Sequence, residues 1–156
     1  MALPPFQLAV DQHRDQLARF LAATVGPVEA EDCLQETLIS ALRAYPRLRA
    51  GSNVRAWLFT IARNKALDEH RARARRPVPV LAVPEGASQP DAASSEDPEL
   101  WDQVRELPPK QRAAVVLRFV NDFSHREVAS VLECSEDAAR RSLHEGLSKL
   151  RKEMAA

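Results

Sequence analysis

The side chains able to do chemistry in this 156-residue chain are four histidines, two cysteines and a full complement of carboxylates. Their spacing argues against catalysis. His13, His70, His125 and His144 are dispersed, and no pair stands at the i, i+4 interval that puts two imidazoles on one helix face for a metal. Cys33 and Cys134 are far apart and outside any C-x-x-C arrangement. They read as small hydrophobes, and a reducing cytoplasm disfavours a bridge between them. Asp32 and Glu36 share a helix face one turn apart, but two surface carboxylates without a third group are solvated charges. There is no G-x-S-x-G, no P-loop and no dinucleotide fingerprint. The chain reads as no enzyme, with no metal and no cofactor.

The chemistry that remains is recognition. Arg63, Lys65, Arg71, Arg73, Arg75 and Arg76 form a basic tract. Such a tract is either a solvated helix end, where cations suit the dipole, or a phosphate-binding surface. The stretch from Ser124 to Glu153 has the spacing of two helices joined by a tight turn. It is either a hairpin that merely packs or a helix-turn-helix whose second helix enters a DNA groove. That second helix opens with Glu136 and Asp137 and carries Glu145 further along, which is unusual for a phosphate-facing element.

The elements that must position these residues are helices. Ala, Leu, Arg and Glu outweigh Val, Ile and Thr, and aromatics are 5% of the chain. The expected class is all-α: two small helical domains, at 1–76 and 99–156, joined by a flexible linker at 77–98. A first helix is expected over Phe6–Val25, with Leu8, Leu17, Phe20, Leu21 and Val25 apolar and Gly26-Pro27 ending it. A second begins near Val28, with Glu29, Glu31 and Asp32 in its first turns. Its stripe is Leu34, Leu38, Ala41, Leu42 and Tyr45, and Pro46 ends it. Ser52 or Asn53 caps a third, with Val54, Trp57, Leu58 and Ile61 on its core side. Trp57 reads as core, not as a stacking platform.

The linker holds five prolines and four acids with no base, and fully stretched it spans about 70 Å. Beyond it a short helix over Glu99–Glu106 precedes one starting at Pro109, with Val115, Val116 and Phe119 inward. Ser124 and Glu127 make a capping box, Glu133-Cys134 the turn, and Ser135 the next cap. Net charge is zero, but basic residues outnumber acidic ones 12 to 8 up to Arg76. No apolar run reaches the roughly 20 residues of a membrane helix and no signal-peptide pattern opens the chain, so a cytoplasmic protein is expected.

The order of these pieces is more specific than any of them. Glu31-Asp32, Leu34-Gln35-Glu36-Thr37, Trp57-Leu58, Ile61-Ala62-Arg63-Asn64, Ala66-Leu67-Asp68 and Arg71 resemble region 2 of the sigma-70 family in its short extracytoplasmic-function form. Leu107-Pro108, Lys110-Gln111-Arg112, Val116-Leu117-Arg118, Ser124, Glu127-Val128-Ala129, Leu132, Cys134-Ser135, Leu143 and Leu150 resemble region 4. The two blocks cover most of the chain and keep the family's order.

The resemblance implies a dissociable sigma factor that brings bacterial core RNA polymerase to promoter DNA. Asp32, Gln35 and Glu36 fall on the positions that contact polymerase. Arg49, Ser52, Asn53, Arg63, Asn64, Lys65, Asp68 and Arg71 fall on the minus-10 element. A base flipped into a pocket near Leu48 to Asn53 would supply the choice there. Arg126, Ser135, Glu136, Asp137, Arg140, Arg141 and His144 fall on the minus-35 element, with Arg140 or Arg141 suited to guanine. The resemblance also admits an anti-sigma factor as a partner and a linker path through the polymerase's product-RNA route.

Two departures from the family stand out. Ser142, Glu145 and Leu147 occupy places where bases are common, and Glu133 stands where glycine is usual. Weakened minus-35 reading follows as an expectation. So does an alternative function, a sigma-like interaction module that binds polymerase or a regulator without reading promoters.

Overall fold

In a computed structural model, which describes residues 2–75 and 97–155, the chain forms seven α-helices and one 3-10 turn, with no strand among the described residues. The Pro-rich connector and the path assigned to it lie outside the described residues, as does Arg76.

Helix α1 runs Phe6–Val25 and α2 runs Pro27–Ala44. Gly26 separates them with φ 91, a left-handed angle that suits glycine, and Pro27 opens α2 at a position where its missing N–H costs nothing. The 3-10 turn Tyr45–Arg47 absorbs Pro46. Helix α3 is Val54–Arg75, capped by the Asn53 side-chain oxygen, which accepts from the Ala56 N–H at 3.1 Å. Helix α4 is Pro98–Glu106, capped by the Asp97 carboxylate through the Leu100 N–H at 3.0 Å. Helix α5 is Pro109–Phe119.

The helix-turn-helix is α6, His125–Leu132, and α7, Glu136–Ala155. Ser124 and Glu127 form the complete capping box, and the Ser135 hydroxyl accepts from the Ala138 N–H at 3.1 Å. Glu133 takes the left-handed conformation at φ 55 and ψ 45, as its place in the turn requires. Helix α7 crosses α5 closely at Gly146, where a Cβ would come 3.0 Å from a Val115 methyl and 3.4 Å from the Gln111 backbone.

Several core assignments from periodicity change. Leu8, Leu42 and Phe119 are exposed, Phe119 by 63%, because no neighbouring helix covers those faces. Their places inside are taken by Ala9 and Val10 on α1, Phe59 and Ala62 on α3, and Ala114 and Leu117 on α5. Leu58 is fully buried, whereas Val54, Trp57 and Ile61 pack against the core from its edge.

The larger change concerns how the two helical units meet. They share one continuous core. Phe123, from the loop before α6, is fully buried with its ring centroid 4.8 Å from that of Phe59, which in turn meets Phe20 at 5.6 Å. Periodicity does not announce this seam, because Phe123 stands alone between polar residues.

Two substitutions probe the helix-turn-helix. Glu133→Gly relieves a left-handed non-glycine residue and is expected to raise unfolding free energy by about 1 kcal/mol in urea titrations. Gly146→Val drives two methyl groups into α5 and is expected to lower it by roughly 1–3 kcal/mol in the same measurement.

Candidate functional site

The surface of α2 opposite the core carries a continuous exposed stripe. Asp32, Gln35 and Glu36 are all exposed there, flanked by Val28, Ile39 and Leu42, of which each is about half or more exposed. The spacing Val28, Asp32, Gln35, Ile39, Leu42 alternates four and three residues, so these side chains stand in one row. Aliphatic groups left in water beside carboxylates have the composition of an interaction surface. The three aliphatic members escape a reading based on motif positions, and Leu42 escapes because its periodicity also fits the core. Their signal is the excess of apolar positions around this helix.

Behind the stripe, Cys33 is buried. Burial pushes its thiol up to about 11, reinforced by the carboxylates of Glu69, Glu36, Glu29 and Asp32, so it stays protonated and unreactive.

On α3, Asn64, Asp68 and Arg71 are exposed at i, i+4 and i+7, and Lys65 is half-buried beside them. None of the four has a side-chain partner among the described residues. The preceding loop turns at Gly51, φ 84, with Arg49 and Asn53 exposed and Ser52 half-buried. Arg63 stands apart. Its Nε is buried without a partner, and it lines a crevice with Phe20, Thr24 and Arg112 at the seam.

On α6 and α7, Arg126, Ser135, Glu136, Asp137, Arg140, Arg141 and His144 are all exposed. Two are already engaged: Ser135 caps the helix, and Glu136 holds Arg140 at 2.9 Å. Arg141 has no ion-pair partner among the described residues. The atypical positions have structural causes. Ser142 is buried, Leu147 packs against the core, and Glu145 accepts from the Gln111 amide of α5 at 3.2 Å. A further apolar groove of about 500 Å³ lies between α4, α5 and α7, lined by Trp101, Phe119, Leu147 and Met154.

Among the described residues no cluster of His, Cys, Asp or Glu is placed to hold a metal, and no helix is long and apolar enough to cross a membrane.

Two helical units with a capped, exposed helix-turn-helix at one end define a bipartite DNA-binding protein. Comparison with known proteins makes this specific. Residues 9–76 match the model for sigma-70 region 2 and residues 98–150 that for sigma-70 region 4. The chain belongs to the sigma-70 family and is an RNA polymerase sigma factor of the extracytoplasmic-function group. It is 35% identical to the RNA polymerase sigma factor CarQ of Myxococcus xanthus over 90% of this chain and 83% of that protein. It is 30% identical to the sigma factor SigX of Bacillus subtilis over 96% of this chain and 83% of that protein. The fold is shared with the sigma factor RpoE of Bartonella quintana, solved in complex with the anti-sigma factor NepR. That likeness has a TM-score of 0.75 at 22% identity and covers 97% of each chain.

Two imidazoles lie near the seam and carry a pH signature. His13 is held below its ordinary value by burial and by Arg55, and His70 by burial and by Arg112 and Arg73. The unfolded chain therefore binds these protons first as pH falls. Their contribution to stability is full above about pH 6.5 and is lost progressively below it. Urea midpoints are expected to drop between pH 7.5 and 5.5, and to drop less in the His13→Gln/His70→Gln variant.

Proposed function

We propose that this sigma factor holds core RNA polymerase through the α2 stripe, melts and holds the minus-10 element with α3 and its preceding loop, and reads the minus-35 element with α7. The observation that carries the reading is the stripe itself. Asp32, Gln35 and Glu36 stand exposed among uncovered aliphatic side chains, a composition that favours a helical partner bearing arginines.

On α3, Asn64 offers an unengaged amide to a base edge, and Lys65 and Arg71 offer cations to phosphates. Asn53 spends its carbonyl oxygen on the helix cap, so its remaining group is the amide donor. The loop from Leu48 to Asn53 is the place for a flipped base, whose unstacking cost of a few kcal/mol its contacts must offset. On α7, Arg141 is the better candidate for guanine, because Arg140 must first leave Glu136. Arg63 is the least available of these cations, since its Nε is buried at the seam.

The chain itself performs no covalent chemistry on this reading; RNA synthesis is the polymerase's, and the work lies in the bacterial cytoplasm. A sigma factor of the same fold has been solved with an anti-sigma factor bound, which supports including such a regulator among the partners.

Reconstitution with core polymerase on a promoter library tests the whole. Sequence-dependent initiation is expected, and Asn64→Ala should reduce it about tenfold with polymerase binding intact. Polymerase binding without initiation on any template would sink the reading in favour of an interaction module. Asp32→Ala/Glu36→Ala is expected to weaken core binding at least tenfold. Arg71→Ala should weaken promoter binding evenly across sequences and reduce the salt slope by about one.

A further inference from the structure

At the start of α7 one side chain is both exposed and already held in place. Glu136 occupies the first position of the helix, directly after Ser135, whose hydroxyl caps it through the Ala138 N–H at 3.1 Å. One carboxylate oxygen, Oε1, accepts from the Arg140 guanidinium at 2.9 Å, one turn further along. The other, Oε2, has no partner among the described residues, and the side chain is 47% exposed. Asp137, Arg141 and His144 are also exposed, and none of them has a side-chain partner among the described residues. Only Glu136 presents a free acceptor on a side chain whose direction is fixed.

A carboxylate there is unsuited to a phosphate and suited to one base. It accepts hydrogen bonds and donates none. In the major groove guanine offers two acceptors, and thymine offers an acceptor and a methyl group. Adenine sets its N6 donor beside the N7 acceptor, whose lone pair opposes a carboxylate. Cytosine offers the N4 amino donor alone. We propose that Glu136 is a specificity-determining residue that accepts from the N4 amino group of one cytosine in the minus-35 duplex, and that Arg140 is the positioning residue that aims it. The proposal rests on the assignment of α7 to minus-35 DNA and names the base that this part of the helix selects.

A helix start is stabilised by any acid in its first turn, and Asp137 meets that need without a partner. The contact with Arg140 is additional. Both members are exposed, so the pair contributes little to stability, and its consequence is orientation. A guanidinium beside the carboxylate offsets the charge that phosphates would otherwise repel, and it holds a rotamer that a free glutamate would lose entropy to adopt. Asp137 has neither advantage. Arg141 remains available for guanine. It stands five residues beyond Glu136, about 7.5 Å along the helix axis, so the two contacts fall on different base pairs. Cytosine and guanine are thus read by separate side chains.

The test uses the full chain with core polymerase on a promoter library randomised across the minus-35 element, with transcripts counted by sequencing. Circular dichroism confirms the helix content of each variant first. The native protein is expected to prefer cytosine about tenfold at one minus-35 position. Glu136→Gln should move that preference to adenine at the same position, because a glutamine amide matches adenine N6 and N7. Arg140→Ala should weaken the cytosine preference several-fold without moving it to another base, and Arg140→Lys should restore part of it. A cytosine preference unchanged in Glu136→Gln would overturn the assignment, as would activity that rises equally on every sequence, since the carboxylate would then only repel phosphates. Arg140→Ala with the native preference would overturn the positioning role. If Arg141→Ala alters a minus-35 preference and Glu136→Gln alters none, the assignment falls while α7 remains the reader. A library with no minus-35 preference at all would overturn both.

Discussion

The last six residues of α1 have no side left for water, and the rest of the fold follows from covering them. Phe20, Leu21, Ala22, Ala23, Thr24 and Val25 are buried in succession, more than one and a half turns of helix. A helix apolar on every face is stable only when neighbours enclose it. Helices α2 and α3 close one side, and α4 and α5 of the C-terminal unit close the other. Thr24 fits this setting because its hydroxyl donates back to the Phe20 carbonyl at 2.9 Å. The helix-turn-helix is therefore mounted on the same scaffold that presents the exposed stripe of α2.

Covering a helix end also requires partners for its last carbonyls. Two arginines provide them, one from each unit. Arg73 of α3 donates to Val25 at 3.1 Å and pairs with Glu29 at 2.6 Å, while Arg112 of α5 donates to Thr24 and to Leu107. The negative end of the α1 dipole favours both cations. Burial, together with the proximity of Arg73 and Arg105, disfavours the charge on Arg112. Such a buried charge is weak evidence for stability but good evidence for orientation, since its two terminal nitrogens reach the Thr24 and Leu107 carbonyls only in one arrangement. The crevice beside it is narrow, and the orphaned Nε atoms of Arg63 and Arg112 face inward.

Helix boundaries were legible because their signals are local. Gly26-Pro27, Ser124 with Glu127, Pro109 and Ser135 each act within a turn of their own position, and the structure uses every one. Burial was less legible because it depends on neighbours. Leu42 and Phe119 have the spacing of core residues, yet no helix lies over them. The stripe on α2 was half visible for the same reason: motif positions point to Asp32, Gln35 and Glu36 but not to the aliphatic groups between them. The seam was invisible. Phe59 and Phe123 are 64 residues apart, and the segment Asn121-Asp122-Phe123 reads as a polar loop with one aromatic. A lone large apolar residue in such a loop is the one local sign that something must cover it.

The departures of α7 from the family pattern take on a different meaning once its faces are known. Ser142, Glu145 and Leu147 suggested a reader that had lost its phosphate contacts. In the fold Ser142 is buried, Glu145 meets Gln111 of α5 and Leu147 lines the apolar groove, and Gly146 lets α5 and α7 approach closely. On the proposed reading, the grip of α7 is limited at its exposed start, where Glu136 occupies Arg140 and Asp137 stands one turn before Arg141. These acids stabilise the helix N-terminus and weaken attraction to phosphates at the same time. On the proposed reading, α7 contributes choice among sequences more than affinity. Affinity then comes from tethering, because a protein already held to polymerase by α2 presents α7 to nearby DNA at a high effective concentration. A reader used only when tethered has no need of a strongly basic helix, and a surplus of cations there would bind the free protein to DNA at random.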